Sequence, residues 1–247
     1  MPEESSPTVS ADQANGSAQG KALSSARRVL QVAVSQGLWI AALFAGAGRL
    51  DWARGWFCVA LYVVGMGGVG LVVRHYNAPL MQARANWQHR DTKTFDKFFL
   101  PSFLLLVYIQ PAVAGMDAIR FRWSSLPSGL FYLGVVLFAV ALAMVTWSMA
   151  VNAYAETSVR IQTDRGHKVV TSGPYRIVRH PFYAGAMLLY PGTALVLGSR
   201  YALVLGCLMA ALFVVRTALE DQTLCRELPG YQEYATRTRY RLLPGVW

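Results

Sequence analysis

Charge is scarce in this chain: Asp, Glu, Lys and Arg make up only 15% of its 247 residues, and acidic residues number just 13. Soluble domains carry about a quarter of their residues charged. The shortfall comes with 54% apolar residues and a mean hydropathy of +0.32, which points to a membrane protein. Cysteine is scarce as well. Cys58 and Cys207 lie inside apolar runs and Cys225 in a polar segment, so no disulfide framework is implied. Residues 1–26 contain no short apolar region ending in a cleavage-site pattern, which argues against a cleaved signal. Rich in Ser, Ala, Gln and Gly, they read as a disordered tail. The four histidines, His75, His89, His167 and His180, are spaced wrongly for shared ligation and no cysteine pair accompanies them, so no metal is expected. No internal repeat is visible. Gly65, Gly67, Gly68 and Gly70 lack the strand–loop–helix setting of a nucleotide loop and read instead as close helix packing.

What the chain does have is length without charge. Six uncharged runs occupy residues 29–48, 55–73, 98–116, 123–155, 181–199 and 201–215. About 20 apolar residues suffice to cross a bilayer as a helix. The first five runs meet that length. The sixth, roughly 22 Å at 1.5 Å per residue, crosses only if its helix continues past Arg216. Pro101 and Pro111 should start or kink the third helix, which a membrane tolerates. The expectation is an all-α, polytopic bundle of five to six spans. It divides into a tail (residues 1–26), four transmembrane helices (27–155) and a C-terminal region (156–247) built around a helical hairpin at 181–219.

The net charge of +10 invites a nucleic-acid reading, but the basic residues are distributed as a topology signal. Of 23 Lys and Arg, 18 fall in the N-terminal tail, the second-to-third connection, the segment after the fourth run and the C-terminal part. Only Arg49, Arg54, Arg120, Arg122 and Arg200 lie in the alternate connections. The positive-inside rule then places both termini and the two long connections in the cytoplasm, with no nucleic acid and no obligate protein partner implied.

Chemistry concentrates in one stretch, VRIQTDRGHKVVTSGPYRIVRHPFY, over residues 159–183. Extended backbone is expected around His167 to Val170, then a turn at Ser172-Gly173-Pro174. Pro181 suits the first turn of a helix, where its missing N–H has no partner, so His180 should cap that helix. A helix N-terminus beside Arg176 and Arg179 could bind a carboxylate or phosphate. The same residues could equally be topology-setting charges, with Tyr175 and Tyr183 in the interfacial aromatic belt. Arg216 and Glu220, four apart, share a helical face. They read either as a surface ion pair or, converging with His180 across the hairpin, as part of a site.

The runs GHKVVTSGPYRIVRHPFYAG and RTALEDQTLCRELPGYQEYATRTRYRLLPG, in this order and spacing, resemble the isoprenylcysteine carboxyl methyltransferase family over the last 90 or so residues. The resemblance implies an integral membrane methyltransferase using S-adenosylmethionine. It implies that Gln162, His167, Lys168, Val169, Val170, Tyr175, Arg179, His180, Pro181, Phe182, Tyr183 and Glu220 surround the cofactor. Arg216 then faces a lipophilic acceptor that enters from the bilayer, and Arg216 and Glu220 form the catalytic pair. The family often has two glutamates where this chain has Glu220 and Asp221. A bacterial inner-membrane location fits the topology. The competing expectation is an NADPH-dependent membrane reductase of the sterol reductase type, which shares the Arg-His-Pro feature but would want a further charged set for the nucleotide phosphate. A transporter or scaffold would want ionisable residues in the middle of the early helices, where this sequence has none.

Overall fold

The computed structural model describes residues 11–85, 89 and 91–247. They form eight α-helices, and no strand occurs among the described residues. The helices are α1 (Ala11–Ala47), α2 (Ala53–Tyr76), α3 (Ala78–Ala85), α4 (Thr94–Gly115), α5 (Gly129–Val151), α6 (Pro181–Leu197), α7 (Arg200–Glu227) and α8 (Tyr231–Arg237). The expected all-α polytopic bundle is the fold observed. Five helical segments are long and apolar enough to cross a membrane: Val29–Ala47, Ala53–Tyr76, Thr94–Arg120, Gly129–Val151 and Arg200–Glu227. Exposed Val64, Leu71, Leu105, Val136 and Val204 give their outer surfaces an apolar character, as lipid contact requires.

The chain divides at Leu38 into an N-terminal unit, helical from Ala11, and a unit from Trp39 to Trp247 that holds the rest. Residues 11–26 are thus helical where the sequence reading expected a disordered tail; residues 1–10 lie outside the described ones. Alanines at 11, 14, 18, 22 and 26 recur every three or four residues, and Ala, Gln, Lys and Arg are good helix formers.

The hairpin also differs from its reading. The fifth run, expected to cross, makes the short helix: α6 has 17 residues, about 26 Å long. The sixth run, which looked short, opens the 28-residue α7. Counting uncharged residues missed the caps. Gly198 ends α6 at a left-handed φ of 79°, and the Ser199 hydroxyl accepts from Ala202 N to start α7. From there α7 runs through Arg216 to Glu227, because its later residues are held by other polar groups.

The second unit's main core joins Trp39, Leu43, Phe44, Tyr62, Phe138 and Leu189 from α1, α2, α5 and α6. Buried polar bonds fix the register of α6 within it. The Tyr62 hydroxyl meets Thr193 Oγ1 at 2.9 Å, and Gln110 Nε2 donates to the carbonyls of Tyr190 (3.0 Å) and Ala202 (3.1 Å). Close glycine-mediated approaches join α1 to α4, at Gly46 and Gly115, and α5 to α6. A Cβ on Gly134 would lie 2.7 Å from Val196 N and 2.8 Å from Gly192 O. In the α2 cluster only Gly65 has such a neighbour, Leu142 Cδ1; Gly67, Gly68 and Gly70 face open space, so the packing reading holds for one glycine of four. Gly134→Val should therefore destabilise the bundle by about 1–3 kcal/mol through overpacking against backbone that cannot yield. Gly67→Val should leave stability nearly unchanged. Melting curves in one detergent compare the two, and equal midpoints would refute the close contact.

Candidate active site

The segment between α5 and α6 has almost no regular structure, so side chains satisfy its backbone. Arg160, buried, forms ion pairs with Glu156 (2.8 Å) and Asp164 (2.7 Å) and reaches Asp91 at 3.3 Å. Gln162 is buried and committed on both sides: Nε2 donates to Tyr154 O at 2.7 Å and Oε1 accepts from Arg165 Nη1 at 2.7 Å. His167 stacks beside Tyr154 with ring centroids 4.5 Å apart. Burial pushes the His167 imidazole down from its ordinary value, against the opposing pull of Glu220 and Glu156, which favours the uncharged ring. Further on, the 3-10 turn Gly173–Arg176 buries Tyr175. Its hydroxyl accepts from Asn152 Nδ2 at 2.9 Å and its carbonyl from the Tyr234 hydroxyl at 2.7 Å. Burial raises the Tyr175 hydroxyl's pKa, so it too stays uncharged.

His180 caps α6 and Pro181 is its first residue, as expected. The flanking charges behave otherwise. Arg179 is locked onto Asp221 by a two-pronged pair, Nε to Oδ1 at 2.8 Å and Nη2 to Oδ2 at 3.0 Å. Its Nη1 donates to the carbonyls of Thr238 (3.0 Å) and Arg239 (3.1 Å). The same carboxylate meets His180 Nε2 at 3.1 Å, the Tyr231 hydroxyl at 2.9 Å and Arg241 Nε at 2.8 Å. The backbone N–H groups of Arg179 and His180 donate to Tyr240 O and Arg241 O, each at 2.9 Å. Asp221 is therefore the buried hub that clamps the C-terminal segment over the start of α6. Most Arg179 donors are thus engaged within the protein, although its side chain still lines the cavity described below. Arg176 is exposed.

The Arg216 and Glu220 pair is also rearranged. Arg216 is buried and reaches Asp96 at 2.9 Å, and its Nη2 donates to Thr157 O at 2.8 Å. Its guanidinium sits between the rings of Phe99 (4.6 Å) and Tyr183 (5.2 Å). Glu220, half-buried, accepts the Tyr183 hydroxyl on Oε2 at 2.5 Å. Among the described residues no cation lies within ion-pair reach of it. The two residues share a helical face but not a bond.

These groups wall one cavity of about 320 Å³ at the end of the bundle where α3, α4, α6 and α7 meet the polar segment. Gln162, His167, Lys168, Val169, Val170, Tyr175, Arg179, His180, Phe182, Tyr183, Arg216 and Glu220 all line it. Pro181 does not; it is buried in the first turn of α6. An open groove of about 560 Å³ adjoins, sharing His167, Lys168, Val169 and Tyr234 and bordered by Arg176, Glu233 and Arg237. Sequence reasoning missed Asp96, which holds Arg216, and Arg84 of α3, which also lines the cavity. Neither carries a local signal: Asp96 meets Arg216 across 120 positions of chain. No group of His, Cys, Asp and Glu suited to a metal ion occurs among the described residues.

Comparison with known proteins bears on the same part of the chain. Residues 130–228 match the family model described as phospholipid methyltransferase. Two curated rice proteins, from Oryza sativa subsp. indica and subsp. japonica, are both named "Probable protein-S-isoprenylcysteine O-methyltransferase". Each is 28% identical over 109 residues, covering 43% of this chain and 57% of the relative. The match thus spans a little over half the length of these relatives. It supports the resemblance read from the motifs, that of an isoprenylcysteine carboxyl methyltransferase-like membrane methyltransferase. Nothing in it favours the reductase expectation.

Proposed function

We propose that this chain, similar over residues 130–228 to membrane methyltransferases, transfers a methyl group from S-adenosylmethionine to a lipophilic acceptor within the cavity of about 320 Å³. The observation that carries the reading is Glu220, a half-buried carboxylate on the cavity wall held by a tyrosine hydroxyl and by no cation among the described residues. A carboxylate so placed wants a cationic or hydroxyl-bearing ligand.

The residues present fit such a ligand. Glu220 would take its ammonium or a hydroxyl, and the rings of Tyr175, Phe182 and Tyr183 would cover its adenine or its sulfonium. The volume lies at the low end of the range for small-molecule sites. Bound there, S-adenosylmethionine supplies a methyl group on a sulfonium, and the C–S bonding pair stays with sulfur on transfer. The protein's part is positioning and exclusion of water. Tyr183 fixes the Glu220 carboxylate. Asp96 and the Thr157 carbonyl fix Arg216, whose guanidinium lines the cavity and would orient an acceptor anion. An anionic oxygen or sulfur needs no general base.

The inner wall of the cavity is apolar, with Met66, Leu100, Phe103, Leu142, Val145 and Leu189 from α2, α4, α5 and α6. That lining suits a lipid chain arriving laterally from the bilayer. The excess of Lys and Arg at this end of the bundle supports a cytoplasmic position for it. Incubating the purified protein with S-adenosylmethionine carrying a labelled methyl group tests the activity. One arm adds a prenylated cysteine carboxylate and another phosphatidylethanolamine, the two acceptor chemistries suggested by the relatives' and the family's names. Label should enter the solvent-extractable fraction with one of them or with native membrane lipids. No incorporation from any source would contradict the proposal.

A further inference from the structure

Charges around the cavity can be paired off one by one. Arg160 is taken by Glu156 and Asp164, Arg179 and Arg241 by Asp221, and Arg216 by Asp96. Three groups remain: Lys168, which is exposed, and two that are half-buried, one of each sign, Glu220 and Arg84. Arg84 lies on α3, outside the segment that matches the methyltransferase family. Its Nη1 donates to the Ala155 carbonyl at 2.6 Å, and its guanidinium sits 5.3 Å over the Phe182 ring. No carboxylate is within ion-pair distance of it among the described residues. Burial brings its pKa down to about 10, so it remains a cation at neutral pH. Phe182 is the second residue of α6, so the positive end of that helix points to the same corner. A half-buried guanidinium with donors to spare is costly to leave without an anion.

We propose that Arg84 binds a carboxylate inside the cavity, and that with Glu220 it makes the site complementary to a zwitterion. This rests on the proposed function, in which two partners offer the group: the amino-acid end of the cofactor and an anionic acceptor. The corner is built by Arg84, the Ala155 carbonyl and Phe182, so the fork of the guanidinium is aimed before any ligand arrives.

Dissociation constants for three probes, measured on the full chain in detergent, separate the sources. Adenosylhomocysteine has the amino-acid carboxylate, 5′-methylthioadenosine lacks it, and farnesylthioacetic acid offers a lipophilic carboxylate. If Arg84 holds the cofactor's end, Arg84→Gln weakens adenosylhomocysteine roughly tenfold to a hundredfold and leaves methylthioadenosine unchanged. If it holds the acceptor's, both nucleosides bind as before and the farnesyl acid weakens by that factor. Arg84→Lys, which keeps the charge without the fork, should show a smaller loss on the same probe, and serves if the glutamine variant does not fold. Unchanged binding of all three probes overturns the inference, as does an equal loss for methylthioadenosine, which would make Arg84 only a structural support. Wild-type protein that binds neither nucleoside overturns the proposed function instead.

Discussion

Glu220→Gln weakens binding of adenosylhomocysteine by about a hundredfold while leaving the melting temperature of the ligand-free protein where it was or slightly higher. The reason lies in what surrounds the carboxylate. Its Oε2 accepts the Tyr183 hydroxyl at 2.5 Å, a bond an amide oxygen can keep. It has no ion pair to lose among the described residues, so neutralising it strands no cation. What disappears is a negative charge facing the cavity. A hydrogen bond to a charged group contributes roughly 1.5–3 kcal/mol, so its loss corresponds to about ten- to more than a hundredfold in affinity. Calorimetric titration of wild type and variant reads this directly. Equal affinities would remove Glu220 from the ligand site.

Asp221→Ala acts on the opposite balance: large on stability. The carboxylate compensates Arg179 and Arg241 and accepts from Tyr231, all on or against the clamp that holds the C-terminal segment over the α6 N-terminus. Breaking a buried pair by removing one partner costs about 3–5 kcal/mol, because the remaining charge stays buried without compensation. Two arginines are left behind here. Asp221→Ala should therefore melt well below wild type and expose residues 229–247 to protease, and ligand should recover little of the loss. Asp221→Asn, which keeps the shape and an acceptor for Tyr231, should fall in between. A variant as stable and as protease-resistant as wild type would mean that the clamp is held by the backbone bonds from Arg179 and His180 alone.

These two acids stand side by side in the sequence and could not be told apart there. Their roles differ because α7 turns by about 100° per residue, so Glu220 faces the cavity and Asp221 the C-terminal segment. Much that depended on local chain statistics was legible, although residues 11–26 read as a tail and are helical. Charge-free runs marked the spans, Pro181 marked the start of α6, and the ordered motifs after Gly166 marked the residues that line the cavity. The failures have the opposite character. Arg179 looked like a free cation because its partner lies 42 positions later and the carbonyls it holds later still. Arg216 and Glu220 looked like a pair because four residues separate them, but Asp96 from α4 reaches Arg216 first. The α2 glycines looked alike, yet only Gly65 meets another helix. Arg84 stood among basic residues that a topology rule explains fully, which hid the one that turns inward.

The cavity walled by Tyr183, Arg216 and Glu220 is proposed to bind an adenosylmethionine-type ligand. The most direct measurement follows the melting temperature of the purified protein while it is titrated separately with adenosylhomocysteine and with NADPH. A ligand that binds only the folded state raises stability by about 2.7 kcal/mol at a hundred times its dissociation constant. Adenosylhomocysteine should give a saturable upward shift that Glu220→Gln greatly reduces, and NADPH should give none. A shift with NADPH alone would contradict the account.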